Sequence, residues 1–502
     1  MRKSSYLPTI ALSVIAVATT GWVLLKRCPE NQVKSGLICI SDSSNAKSGK
    51  TASNSPSPAK NVPSSSSPNQ PVAPSGSPSA VLPPVLEPRF SRGDRTLFRG
   101  EGNPDRDDGV AAFKKKDYPG AIAAFTRSVT SGRNDPEPQI YLNNARAQEK
   151  GNPYTLAVVV PVDNRVDVAK EILRGAADAQ EQFNKAGGQE GRLLELLLVN
   201  DGNDPEIAKS VAVELAKIPG VLGVIGHNAS EASLEALPEY EKAGLAMISP
   251  TSSSTELKGS TFFRTVPSDQ AAGNRLANYV ANSLGIKKVV IFYDNTDTYS
   301  KSLKQTFTEN FKSLGGAEPP FVDLASSDLD AAAAVQKHVS DVRVAMLFPG
   351  TQTVPRAIAI ASANAKLATE KQFRLLGGDA LYENRTLING GQAIEGLVLA
   401  VPWFADSTYA QQANERWGGR INWRTASSYD AVQALVKTLT VNVSRGQVVQ
   451  ALKNLQLSPS ETSGNPLKFE ASGDRAEEPL LVQTSKGGNR PRGSDFGFEL
   501  VP

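Results

Sequence analysis

From Tyr154 onward, apolar positions come in short continuous runs separated by amphipathic stretches. Thr155–Val162 is the first run, and Val168, Ile172, Ala176, Ala179 and Phe183 follow it at spacings that predict one buried helix face. Leu193–Val199, Val221–Ile225 and Ala246–Ser249 are further runs, with helical stretches at Pro205–Lys217 and Ser233–Ala243 between them. Apolar strands alternating with helices predict a parallel sheet covered on both faces. After Phe262–Pro267 the alternation starts again. Lys288–Tyr293, Pro320–Leu324, Arg343–Phe348, Phe373–Gly377 and Gly396–Val401 form a second set of strands, with helices around 269–284, 300–314, 329–339, 353–366 and 408–418. This α/β pattern predicts a folded part over 153–502 in two lobes, lobe 1 at about 153–265 and 403–485 and lobe 2 at about 269–400. Crossings at Phe263–Ser268 and Val401–Trp403 would join them. The helices Ser427–Thr440 and Gly446–Asn454 and end strands near Phe469 and at Leu480–Gln483 are expected to return to lobe 1.

The first 150 residues follow other rules. Tyr6–Leu25 carries no charge and is flanked by Arg2, Lys3, Lys26 and Arg27, so residues 1–27 predict a membrane anchor long enough to cross the hydrocarbon. The alternative is a cleaved signal peptide, for which Ala16-Val17-Ala18 offers a site. Over 28–40, Cys28 and Cys39 are read as a small disulfide loop in an oxidising compartment, with two unpaired thiols as the alternative. Residues 41–100 are read as a Ser/Pro-rich flexible linker, most of it too poor in apolar residues to fold. Residues 101–150 read helix, turn, helix, turn, helix, similar to one tetratricopeptide repeat plus the first helix of another. Such a piece either docks on the next domain or offers a surface to a protein partner.

Charge narrows the partners. The first 100 residues carry a formal +8, which leaves −5 on residues 101–502 of the total +3. The folded part thus lacks the basic face that phosphate neutralisation requires, and nucleic acid is excluded as a partner. The two His, His227 and His338, and the two Cys, Cys28 and Cys39, are too widely separated as pairs to build the usual four-ligand Cys/His zinc site. No metal or cofactor is expected, since neither a P-loop nor a G-x-G-x-x-G is present.

A set of short motifs gives the folded part a family resemblance. In order they are Val224-Ile225-Gly226-His227-Asn228-Ala229-Ser230, Ala246 to Thr251, Phe263 to Ser268, Tyr293-Asp294 through Tyr299, Gly377-Gly378-Asp379-Ala380 and Ser428-Tyr429-Asp430-Ala431. Their order and spacing resemble the type I periplasmic binding proteins, in particular the branched-chain amino-acid receptors of ABC importers, over about residues 153–485. With its tether and partial repeat the chain also looks like a membrane-tethered cyanobacterial variant. The resemblance implies a two-lobed Venus-flytrap fold and an amino-acid-like ligand. It places the ligand carboxylate on Ser230, Thr251 and Ser253, near Ala229, and the ammonium on Asp379, with Tyr299 and Thr351 lining the second lobe. It implies a periplasmic protein held at the inner membrane and partnered by a permease.

Alternatives stand beside each assignment. Ser230 and Ser253 also fit as plain helix caps, Asp379 as a turn residue, and Tyr299 as local packing. The chain departs from the leucine receptors at Asp163 to Asp167, which is one residue shorter and lacks their tyrosine, and at Gly350-Thr351-Gln352, which replaces an aromatic pair. A polar ligand follows. His227, Ser230 and Asp379 are the residue types of a hydrolytic triad, but no G-x-S-x-G elbow is present and an enzyme is not expected. A sensor passing occupancy to a signalling receptor is the alternative to an importer.

Overall fold

The computed structural model describes residues 32–35, 38–41, 83, 85–100, 102–487 and 490–501. They belong to two units, Met1–Gly76 and Ser77–Pro502. In the first, β1 (Gln32–Ser35) and β2 (Ile38–Ser41) form an antiparallel hairpin. The anchor at residues 1–27, Cys28 of the expected disulfide and most of the tether lie outside the described residues. Among the described residues, no helix is long and apolar enough to cross a membrane.

The second unit opens with β3 (Phe90–Ser91) and three helices, α1 (Pro104–Lys114), α2 (Tyr118–Ser131) and α3 (Pro136–Lys150). Asn103, Asp117 and Asp135 each cap one with a side-chain oxygen, and a proline sits in each first turn, where a missing N–H costs nothing. Eleven of the 15 residues of α3 are buried, so it is a wall of the larger unit. Its Asn144 accepts from Leu196 N at 2.9 Å and donates to Leu196 O at 2.8 Å, satisfying a strand edge that the two-residue β3 leaves open.

Lobe 1 then builds as expected. The elements are β4 (Tyr154–Val160), α4 (Val166–Lys185), β5 (Leu194–Asn200), α5 (Pro205–Ala216), β6 (Val221–Ile225), α6 (Ser230–Lys242), β7 (Ala246–Ser249) and β8 (Phe262–Arg264). The sheet order is β3-β5-β4-β6-β7-β8, parallel except for β3. Every residue of β4, β5 and β7 is buried, the signature of a sheet covered on both faces.

The chain crosses at Arg264–Asp269 into lobe 2. There it forms α7 (Asp269–Asn278), β9 (Val289–Tyr293), α8 (Thr298–Ser313), β10 (Phe321–Asp323), α9 (Ala331–His338), β11 (Val344–Phe348), α10 (Val354–Ala365), β12 (Arg374–Gly377), α11 (Asn384–Gly390) and β13 (Val398–Val401). It crosses back to α12 (Thr408–Trp417), α13 (Trp423–Val436) and α14 (Arg445–Lys453), then β14 (Gln456–Leu457), β15 (Leu467–Lys468), β16 (Leu480–Lys486) and β17 (Phe496–Leu500). α13 lies on α4, where a Cβ on Gly175 would sit 2.0 Å from the Thr425 carbonyl, so only glycine permits this approach. Asp178 of α4 ties α12 in place through Tyr409 Oη at 3.0 Å, Trp417 Nε1 at 3.2 Å and Arg416.

One expectation needs correction. The strand at 480–486 does not return to lobe 1: β16 pairs antiparallel with β13, and the lobe 2 sheet runs β10-β9-β11-β12-β13-β16-β17. The Phe469 segment does meet lobe 1, with Arg264 N donating to Gly473 O at 3.0 Å and the Phe469 ring 5.1 Å from Phe263. A third crossing therefore joins the lobes between Arg475 and Leu480. An apolar run of strand length records burial, not which of two equally apolar sheets buries it.

Candidate functional site

Between the lobes lies a narrow cleft with about 50 Å³ of open space. Lobe 1 contributes Asn228, Ala229, Ser230, Glu231, Thr251, Trp423 and Arg424, and lobe 2 contributes Asp297, Tyr299, Thr351, Asp379 and Ala380. The lobe 1 residues sit beyond the carboxyl ends of β6 and β7, where parallel sheets present ligand sites. Of the residues singled out from sequence, Ala229, Ser230, Thr251, Tyr299, Thr351 and Asp379 line this cleft together.

Ser253 does not. It is buried, its carbonyl accepts Asp269 N at 2.8 Å, and its hydroxyl faces the Asp269 carboxylate. It serves the crossing into lobe 2 and is not a cleft residue. Nor does Ser230 cap α6: the capping position is Ala229, whose side chain accepts nothing, and Ser230 is the first helical residue. The N–H groups of this first turn thus lack a side-chain acceptor and are open to an anion. Thr251 Oγ1 donates to Asn228 O at 2.9 Å, which holds the β7 loop against the start of α6.

Across the cleft, Tyr299 stands in the first turn of α8, where its hydroxyl accepts Ala380 N–H at 3.4 Å beside the Asp379 carboxylate. Burial pushes Asp379 up from the ordinary carboxylate range, while Tyr299 and the Arg424 charge hold it down. A Cβ on Gly378 would lie 2.3 Å from Tyr299 Oη and 2.6 Å from Leu303, so glycine is what lets Tyr299 pack beside the Asp379 turn.

Two carboxylates meet where the lobes touch. Glu231 of lobe 1 accepts Thr298 N at the head of α8, and Asp297, the cap of α8, accepts Ser300 N at 2.8 Å. Burial first, and then the neighbouring Glu231, push Asp297 up to about 7. Burial likewise raises Asp269 to about 7. Both ordinarily titrate near 3.8, so between there and about 7 the folded chain takes up protons that the unfolded chain does not. Stability is therefore expected to rise as the pH falls from about 8 to about 5. Urea melts should show Asp269→Asn/Asp297→Asn more stable than the parent near pH 8, with the gap closing near pH 5; a gap independent of pH refutes the linkage.

His227, Ser230 and Asp379 form no triad. The His227 ring is fully buried, with Nδ1 2.7 Å from Asp201 Oδ2 and Nε2 2.9 Å from Tyr240 Oη. Among the described residues no cluster of His, Cys, Asp or Glu could hold a metal ion. Sequence reading missed Trp423, Arg424, Glu231 and Asp297. The helix expected to begin at Ser427 begins at Trp423, capped by Asn422 accepting from Arg424 N at 2.8 Å, and that cap was the available signal.

Fold and cleft together define a two-lobed ligand receptor. Residues 155–489 match the family described as periplasmic binding protein, and the chain belongs to that family, whose role is substrate binding. It is 27% identical over 308 residues to an amino acid binding protein of Pseudomonas aeruginosa, covering 60% of this chain and 81% of that one. It is 26% identical over 313 residues to a leucine-specific-binding protein of Salmonella typhimurium, covering 60% and 82%. Among solved structures, a leucine binding protein from Thermotoga maritima superposes with a TM-score of 0.58 at 22% identity, over 69% of this chain and 97% of that one. An ABC transporter substrate-binding protein from Sphaerobacter thermophilus reaches 0.60 at 16% identity, over 70% and 97%.

Proposed function

We propose that the chain captures an amino acid between its lobes and delivers it to an ABC permease. The observation that carries this reading is the pairing across one cleft of an uncapped helix start, with Ser230 and Thr251, and the Asp379–Tyr299 pair. The first suits a carboxylate and the second an ammonium that loses its water when the lobes close. Relatives named as an amino acid binding protein and a leucine-specific-binding protein support it. Thermal-shift screening of the full chain against the common amino acids tests it. A ligand at 100 times its Kd adds about 2.7 kcal/mol, a clear upward shift, and no shift with any amino acid refutes the reading.

The uncharged run Tyr6–Leu25 supports an uncleaved anchor that keeps the receptor at the periplasmic face of the inner membrane, as in tethered cyanobacterial variants. Sequencing the N-terminus of membrane-extracted protein separates it from a cleaved signal peptide. We read the tetratricopeptide-like module as a brace of lobe 1, because the third helix spends its surface on α4 and β5.

A further inference from the structure

We infer that the cleft selects an amino acid whose side chain carries a second acidic group, and that Arg424 of α13 is the residue that reads it. This rests on the amino-acid reading above and names the ligand within it.

Arg424 is 4% exposed, yet its guanidinium belongs to the cleft lining and lies 4.3 Å from the ring of Trp423 beneath it. Its backbone N–H donates to Asn422 Oδ1 at 2.8 Å, and among the described residues its guanidinium has no hydrogen-bond partner. A buried guanidinium with free donors facing a cavity is costly unless an anion completes it.

The charges around it are already engaged. Glu383 is shared between Arg385 and Arg165, whose Nη2 stands 3.9 Å away, and Asp167 pairs with Arg165 at 3.3 Å. Asp379 stands beside the Tyr299 hydroxyl and is the partner proposed for the ligand ammonium. Arg165 leaves its own buried Nη1 without a hydrogen bond. When an ammonium occupies Asp379, three guanidinium groups face only Glu383 and Asp167. A ligand carboxylate beside Arg424 restores the balance, and two of its oxygens match the fork of the guanidinium.

The opposite choice, a basic side chain on Glu231 and Asp297, is less favoured. Each of those carboxylates already accepts a backbone N–H at the start of α8, whereas the Arg424 donors are unused. The sequence departures agree in direction. Arg165 closes the shortened loop after β4, and the Thr351 carbonyl, in the stretch that lost its aromatic pair, accepts Arg385 at 3.0 Å.

The test is calorimetry on the full-length chain with L-glutamate against L-glutamine and L-aspartate against L-asparagine, with L-leucine and L-lysine alongside. Each acid has nearly the size and shape of its amide, which lacks the charge and presents an NH2 donor where the acid presents an acceptor oxygen. At least one acid should bind about 30-fold or more tightly than its amide, because the amide leaves the buried guanidinium without a counter-charge. In Arg424→Gln that ratio should fall below about 3, and Arg424→Lys should recover part of it. Acid and amide binding alike, or L-lysine or L-leucine binding tightest, overturns the inference and leaves the amino-acid reading standing. Binding of none of the six ligands overturns the inference, and silence across all the common amino acids overturns that reading as well. The parent chain alone decides the first comparison, so the result does not depend on either variant folding.

Discussion

Asp379→Asn is expected to weaken binding of whichever amino acid stabilises the parent chain by about 30-fold or more. The side chain keeps its shape and its contact with Tyr299 but loses the charge that a desolvated ammonium needs, and breaking such a pair typically costs about 2–5 kcal/mol. Ser230→Ala should cost less, since the first-turn N–H groups of α6 remain for the carboxylate. Calorimetry on both variants gives the comparison. Unchanged affinity in Asp379→Asn would mean that this carboxylate does not read an ammonium.

The second large effect is on stability. Asp430 of α13 is 1% exposed and accepts Ser463 N at 2.6 Å and Arg475 Nη1 at 3.1 Å, while Arg475 also donates to Thr265 O at 2.8 Å. One buried ion pair thus fastens the first crossing, α13 and the approach to the third. Asp430→Ala removes the fully buried partner of Arg475 and the acceptor of Ser463 N and leaves only the more exposed Glu477, at 2.9 Å, as its counter-charge, a loss expected to cost about 2–3 kcal/mol in urea unfolding. Denaturation midpoints matching the parent would show that the clasp contributes nothing.

This clasp explains what part of the motif set encodes. Ser428-Tyr429-Asp430-Ala431 helped to reveal the family, yet Asp430 holds the hinge and Tyr429 stacks 4.2 Å from Tyr409, so neither lines the cleft. The strands of both lobes were legible because full burial writes continuous apolar runs, and Ser230, Thr251, Tyr299 and Asp379 were legible because each follows such a run at a strand or helix boundary. Arg424 was not. It reaches the cleft only through the return of α13 across α4, a placement set by the close approach of Gly175, far from it in sequence, to its neighbour Thr425. Ser253 misled for the converse reason: it shares a loop with Thr251, but its side chain turns inward toward Asp269.

The way the chain enters its larger unit decides which lobe is free to move. β3 pairs with β5, and Arg89 Nη1 bonds Asp163 Oδ2 at 2.8 Å and Asn200 O at 3.1 Å, all on the lobe 1 sheet and its loops. Any restraint acting through the preceding residues is therefore delivered to lobe 1, which α3 stiffens further along the same edge. Among the described residues no hydrogen bond from residues 85–100 reaches lobe 2, which meets lobe 1 at the three crossings and at contacts such as Glu231 with Thr298 N. Were the chain held from its N-terminal side, closing the cleft would move lobe 2 against a lobe 1 that stays put.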